Sequence, residues 1–163
     1  VIGIALSTTP EIVLRGRTEG LEFSPEAPAI DQAAREARAA GADFVVVTAH
    51  VGAVCEQPGT APAEPSAGCQ GEVLAIADAL AEPVDLIVGG HTHRRVLTAP
   101  DSIPILEAAS YSTAYSVTDL ERRDGQDRRT LYLTGLAPAP AVVAAPRTST
   151  IRRTSRAPTA PAA

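Results

Sequence analysis

The sequence has no Met and no Trp, and a reading of all 163 residues finds no Lys and no Asn either. Without lysine there is no amine nucleophile, no Schiff-base chemistry and no P-loop lysine; all 14 basic side chains are arginines. Aromatic residues make up only 3%, and much of the 45% hydrophobic fraction is alanine, so the core is expected to be thin in large side chains. No apolar run approaches the ~18 residues of a membrane-spanning helix. The net charge of −5 argues against general nucleic-acid binding through the folded part. The chain opens on Val1-Ile2-Gly3-Ile4-Ala5-Leu6, which already reads as a buried central strand. Nothing resembles a start signal or signal peptide, so the stretch is expected to begin in mid-domain. Its length suffices for one domain with a real core.

Taken in order, Ser7-Thr8-Thr9-Pro10 ends the first strand, and Glu11 to Arg17 reads as a short edge strand followed by turns. Pro28 to Ala40 reads as a helix with Ile30, Ala33, Ala34 and Ala37 on one face and Gly41 as its stop. A strand over Phe44 to Ala49 leads to His50. Val51 to Gln70 reads as Gly/Pro/Ala-rich loop, with the two cysteines, Cys55 and Cys69, near its ends. A second helix is expected from about Gly71 to Leu80, then a strand over Val84 to Val88. Alternating strands and helices with these loop lengths imply parallel pairing by right-handed crossovers. The pattern then turns antiparallel: a short strand over Ile103 to Leu106, an alternating run over Tyr111 to Glu121, the Asp124-Gly125 hairpin signal, and a return strand over Thr130 to Leu136. Residues 137–163 are mostly Ala, Pro, Thr, Ser and Arg, too poor in large apolar side chains to order themselves, and are expected to form a disordered tail.

All three histidines fall at the carboxyl ends of predicted strands. His50 ends one; His91 and His93 lie in Gly89-Gly90-His91-Thr92-His93, directly after another. In open α/β sheets that edge is where ligands bind. A lone histidine at a strand end is often only a hydrogen-bonded boundary residue. A His-x-His pair on a glycine-rich turn, with a third imidazole on a neighbouring strand, points to metal ligation, with zinc, iron, manganese or copper suited to nitrogen donors. Thr92 reads as a small residue fitting a tight loop. Arg94 and Arg95 could reach a phosphate, although exposed loop arginines are usually just solvated.

Val45-Val46-Val47-Thr48-Ala49-His50-Val51-Gly52, followed by Val84-Asp85-Leu86-Ile87-Val88-Gly89-Gly90-His91-Thr92-His93, resembles the calcineurin-like metallophosphoesterases, in the branch of 5′-nucleotidases and 2′,3′-cyclic-nucleotide phosphodiesterases. Ala42-Asp43, Gly71-Glu72 and Pro104-Ile105-Leu106-Glu107-Ala108-Ala109-Ser110-Tyr111 extend the likeness, which covers roughly residues 1–136. The resemblance implies an α/β fold, the C-terminal half of a four-layer α/β/β/α sandwich. It also implies hydrolysis of nucleotides or other phosphomonoesters by water activated on two divalent ions. His50 and His91 would bind one ion, and His93 the other. The family draws its other ligands from an earlier Asp-x-His, a Gly-Asp and a Gly-Asn-His. None is present here, as the three histidines and the missing asparagine make certain. The expectation is therefore an incomplete domain with no assignable catalytic residue, at most one weakly bound ion (Zn, Mn, Fe or similar), and little turnover alone. Its implied partners are a phosphorylated small molecule or nucleotide and the missing N-terminal half, with no membrane span and no specific nucleic acid.

Two alternatives stay open: a non-catalytic metal- or anion-binding remnant, and a mononuclear zinc hydrolase using the three histidines alone. The resembled branch is largely secreted, periplasmic or surface-located, and there Cys55 and Cys69 would form a disulfide. In a cytosolic protein they would stay reduced, and as a further rival they could join a zinc site.

Overall fold

The structure is a computed structural model that describes residues 1–59, 65–99, 103–121 and 130–138. Its centre is a five-stranded sheet of β1 (Ile2–Ile4), β2 (Val46–Ala49), β5 (Leu86–Val88), β7 (Ile105–Ala108) and β6 (Arg95–Thr98), in the order β1-β2-β5-β7-β6. The first four strands run parallel; β6 pairs antiparallel with β7, with Leu97 opposite Leu106. The parallel core follows from runs such as Phe44 to Ala49 and Val84 to Val88, whose side chains are apolar on both faces. Helices α2 (Glu26–Ala39) and α3 (Glu72–Ala79) cover one face. There Ile30, Ala34, Val73 and Ala77 pack with Val47, Ile87, Val96 and Ile105 in the main core. On the opposite face Leu86, Leu97 and Leu106 form a smaller cluster. This is the expected mixed α/β architecture.

Polar side chains fix the helices at the strand ends remote from the histidines. Buried Asp31 on α2 accepts hydrogen bonds from Ala81 N and Glu82 N at 3.1 and 2.9 Å, capping the turn after α3. Asp85, 3% exposed, opens the β5 segment, accepts from Val45 N at 2.7 Å and pairs with Arg38 of α2 at 2.5 Å. Arg38 also donates to Asp43 O at 2.6 Å. Gly41, at φ +88°, takes the left-handed conformation that stops α2. On the other side of the sheet edge, Ser7 N donates to Glu26 Oε1 at 2.6 Å. Burial pushes the Glu26 carboxyl up, but that bond, helped by the Ser7 hydroxyl and Glu26's own N–H, outweighs it and holds the group below its ordinary value.

Several sequence expectations are corrected. Glu11 to Arg17 is not an edge strand: α1 (Thr9–Ile12) and turns take its place. Pro10 presets the first helical turn, and Gly16 at φ +82° turns the chain away from any strand partner. β1 is not central but lies at the edge of the sheet among the described residues. Val51 to Gln70 is not all loop, because β3 (Val54–Gln57) and β4 (Ala67–Gln70) form an antiparallel ribbon. β6 carries no strand signal of its own: its pairing with β7 arises at long range, which a four-residue run cannot announce. β8 (Ala114–Glu121) and β9 (Thr130–Pro138) pair antiparallel, with a register shift between Tyr115 and Val117, as the hairpin signal implies. Asp124-Gly125 itself and residues 139–163 of the expected tail lie outside the described residues, whereas Ala137 and Pro138, expected to open that tail, extend β9 opposite Tyr115 and Ala114.

Candidate metal centre

β2 and β5 are adjacent and parallel, with Val46 opposite Leu86 and Thr48 opposite Val88. Their carboxyl ends therefore deliver His50 and the Gly89-Gly90-His91 turn to the same place. The His50 and His91 rings stand edge to face with centroids 5.1 Å apart. Both are exposed. His93, also exposed, instead lies against Tyr111 at 5.5 Å, again edge to face. No group of three or more His, Cys, Asp or Glu side chains with metal-binding geometry occurs among the described residues. The structure thus brings the His50 and His91 rings together and sets the His93 ring beside a phenol. Two nitrogen donors are fewer than the three protein ligands of a catalytic zinc site, so they fit a metal only as part of a ligand set.

The two histidine loops are packed backbone against backbone. Gly90 N donates to Val51 O at 3.0 Å, and Gly89 N donates to Leu106 O at 2.7 Å. A Cβ on Gly52 would lie 2.2 Å from Gly90 O and 2.3 Å from Glu107 Oε2; one on Gly89 would lie 2.6 Å from Val51 O. Glycine is required at both positions by this close approach. His91 and His93 both adopt left-handed backbone, φ 77° and 58°, as do Ala109, Tyr111 and Ser112 in the following loop.

Beneath the loops lies Glu107 on β7, 1% exposed. It accepts from Thr92 Oγ1 at 2.7 Å, and from Ala53 N and Arg94 N at 3.3 Å each. Thr92 Oγ1 is also 2.7 Å from Ala53 O. Thr92 is thus a link between loops as well as a small residue in a tight turn. In the sequence Glu107 stands out only within the family-like string Pro104 to Tyr111. A lone acidic residue in the apolar run Ile103 to Ala108 was the available signal. Arg94 and Arg95 are exposed; Arg94 O accepts from Ala109 N at 2.8 Å, and Arg95 is the first residue of β6 rather than a loop residue. Cys55 and Cys69 face each other across β3 and β4 and are joined as a disulfide.

These features define an α/β scaffold with imidazoles at the carboxyl edge of a parallel sheet. The chain shares its fold with solved proteins described as a sulfate thiohydrolase and a 5′-nucleotidase, which match most of its length. Sulfate thiohydrolase SoxB of Thermus thermophilus, solved with glycerol, matches 85% of the chain with a TM-score of 0.63 and 24% identity. A protein assigned as a 5′-nucleotidase from Staphylococcus aureus, solved with alpha-ketoglutarate, matches 93% with a TM-score of 0.58 and 18% identity. In sequence, the chain is 29% identical over 120 residues to endonuclease YhcR of Bacillus subtilis strain 168, a match spanning 74% of the chain. The chain covers only 22% and 28% of the two solved proteins and 9% of the endonuclease. No protein-family model matches it. No helix among the described residues is long and apolar enough to cross a membrane.

Proposed function

We propose that this chain supplies part of the metal centre of a phosphoester hydrolase of the 5′-nucleotidase type. The observation that carries this reading is the 5.1 Å approach of His50 and His91 at the carboxyl ends of neighbouring parallel strands. These two imidazoles would hold one divalent ion, such as zinc, manganese or iron. His93, whose ring lies against Tyr111, would serve a second ion completed by residues outside this stretch. When bound, such ions supply Lewis acidity and a water nucleophile at neutral pH. The chain's own contribution is to orient imidazole nitrogens at the sheet edge. Arg94 and Arg95, exposed beside them, are placed to draw in an anionic substrate.

The fold does not by itself choose the substrate, since one structural neighbour is a sulfate thiohydrolase and another bears a 5′-nucleotidase assignment. The sequence relative named as an endonuclease favours a phosphoester of the nucleotide kind. Two imidazoles provide too few ligands for a complete two-ion centre, so the chain alone should turn over little, and the N-terminal half of the domain is its expected partner. The disulfide favours an extracellular, periplasmic or cell-surface setting.

Calorimetric titration with zinc or manganese tests this reading. The wild-type chain should bind one ion weakly, and His50→Ala or His91→Ala should abolish binding. Equal binding by wild type and both variants would remove the metal centre. Hydrolysis of a nitrophenyl phosphate ester by the chain alone, at the rate of an intact two-ion enzyme, would refute its incompleteness.

A further inference from the structure

We propose that Glu107 is the positioning residue of this centre: its carboxylate ties the His50 loop to the His91–His93 loop and sets the approach of the two imidazoles. The inference rests on the metal-centre reading for its purpose, but not for its geometry.

A carboxylate that is 1% exposed carries a heavy desolvation cost unless it is satisfied. Among the described residues no arginine pairs with Glu107. Its partners are one hydroxyl and two backbone N–H groups, and they come from the two loops that carry the histidines. Ala53 N lies three residues beyond His50. Thr92 Oγ1 lies between His91 and His93, and Arg94 N directly follows His93. Ile105, two residues earlier on the same strand face, is an ordinary apolar core residue. A leucine at 107 would satisfy the packing of that layer; it could not accept hydrogen bonds from either loop. The carboxylate is therefore spent on the loops and not on the core. The missing Cβ at Gly52 completes the arrangement, because any side chain there would occupy the space of Glu107 Oε2 and Gly90 O.

Binding two loops to one buried group restricts their relative motion. An ion that needs both His50 and His91 then pays less ordering entropy on binding. This predicts a coupling that a merely stabilising residue would not show: loosening Thr92 or Glu107 should separate the imidazoles in a chain that still folds.

The test compares wild type with Thr92→Val, Thr92→Ser and Glu107→Leu, using two readouts. The first is the nuclear Overhauser effect between the His50 and His91 ring protons in the metal-free chain. It should be present in wild type and Thr92→Ser, which keeps the hydroxyl, and absent in Thr92→Val and Glu107→Leu. The second is zinc affinity by calorimetry, which should fall at least tenfold in Thr92→Val and recover to within about twofold of wild type in Thr92→Ser. If Glu107→Leu does not fold, Thr92→Val decides. An unchanged ring-to-ring signal in folded Thr92→Val overturns the positioning role. If the signal behaves as stated while wild type binds no zinc, the positioning role stands and the metal-centre reading alone falls.

Discussion

Gly52→Ala is the sharpest single perturbation of the site. The added methyl carbon would lie 2.2 Å from Gly90 O and 2.3 Å from Glu107 Oε2, where real Cβ contacts do not go below 3.0 Å. Neither neighbour can yield cheaply. Gly90 is held by its N–H to Val51 O at 3.0 Å, and Glu107 by Ala53 N and Thr92. Relief therefore requires the His91 loop to withdraw by most of an ångström, with loss of at least one of these bonds. Overpacking of this kind costs 1–3 kcal/mol, and leaving a buried carboxylate short of a donor costs about 1–3 kcal/mol more. The expected loss is about 3 kcal/mol, a large share of the ~5–15 kcal/mol that holds a domain together. Urea denaturation gives the number directly from the shift in midpoint at constant slope. Gly3→Ala is the control, because its Cβ would meet nothing closer than Thr48 Oγ1 at 3.9 Å; it should change stability by less than about 0.5 kcal/mol. Zinc affinity should fall with stability in Gly52→Ala, since the same displacement parts His50 from His91. A Gly52→Ala chain with the midpoint of Gly3→Ala would mean that the two histidine loops are not packed as described.

Other outcomes follow from the rest of the fold. Asp85→Ala leaves Arg38 and Val45 N without their buried acceptor and should cost about 3 kcal/mol, the usual penalty for breaking a buried pair, read by the same denaturation; a loss below about 1 kcal/mol would show the pair to be dispensable. Reducing the Cys55–Cys69 disulfide, which spans a sequence separation of 14, should lower stability by about 3 kcal/mol in the chain-entropy account, with equal melting temperatures under oxidising and reducing conditions as the contrary result. Glu26 has a folded-state pKa held below its ordinary value, so its contribution is present above that ordinary value and is lost as pH falls through the lower folded one. Glu26→Gln should accordingly be less stable than wild type at pH 7, with the gap closing on acidification through and below the ordinary carboxylate range; a gap that is constant with pH would remove the Ser7 bond as its cause.

The parallel part of the fold was legible because it is written locally. Phe44 to Ala49 and Val84 to Val88 are apolar runs of strand length, and the segment between Pro25 and Gly41 has a clear apolar face and stop signal. Where the strand ends fall, the histidines follow, so the meeting of His50 with His91 could be anticipated from order alone. The parts that escaped depend on partners distant in sequence. β3 and β4 contain glycine, glutamine and glutamate, with little β propensity; their pairing is secured by a disulfide whose partners are 14 residues apart. β6 exists because β7 offers it an edge. The role of Glu107 depends on groups 15 and 54 residues away, which no periodicity can report. The contact of His93 with Tyr111 was not legible either, since it joins a left-handed turn to a loop 18 residues further on.

That turn also explains why the site needs so much support. Left-handed backbone costs a non-glycine residue roughly 1–2 kcal/mol, and all five described cases lie between His91 and Ser112. Such conformations persist only where surrounding contacts over-determine them. Here the contacts are visible: Thr92 N donates to Gly90 O at 2.9 Å, Ala109 N to Arg94 O at 2.8 Å, and Thr113 N and Oγ1 both donate to Ser110 O. With the Glu107 bonds they join the His91–His93 turn to the loop after β7, so that His93 and Tyr111 are held edge to face. The left-handed residues thus fall in the His91–His93 turn and in the loop after β7 that is bonded to it, and no other described non-glycine residue has a positive φ. The shape of the His91–His93 turn is therefore set within this stretch, by these backbone bonds and by the buried carboxylate of Glu107.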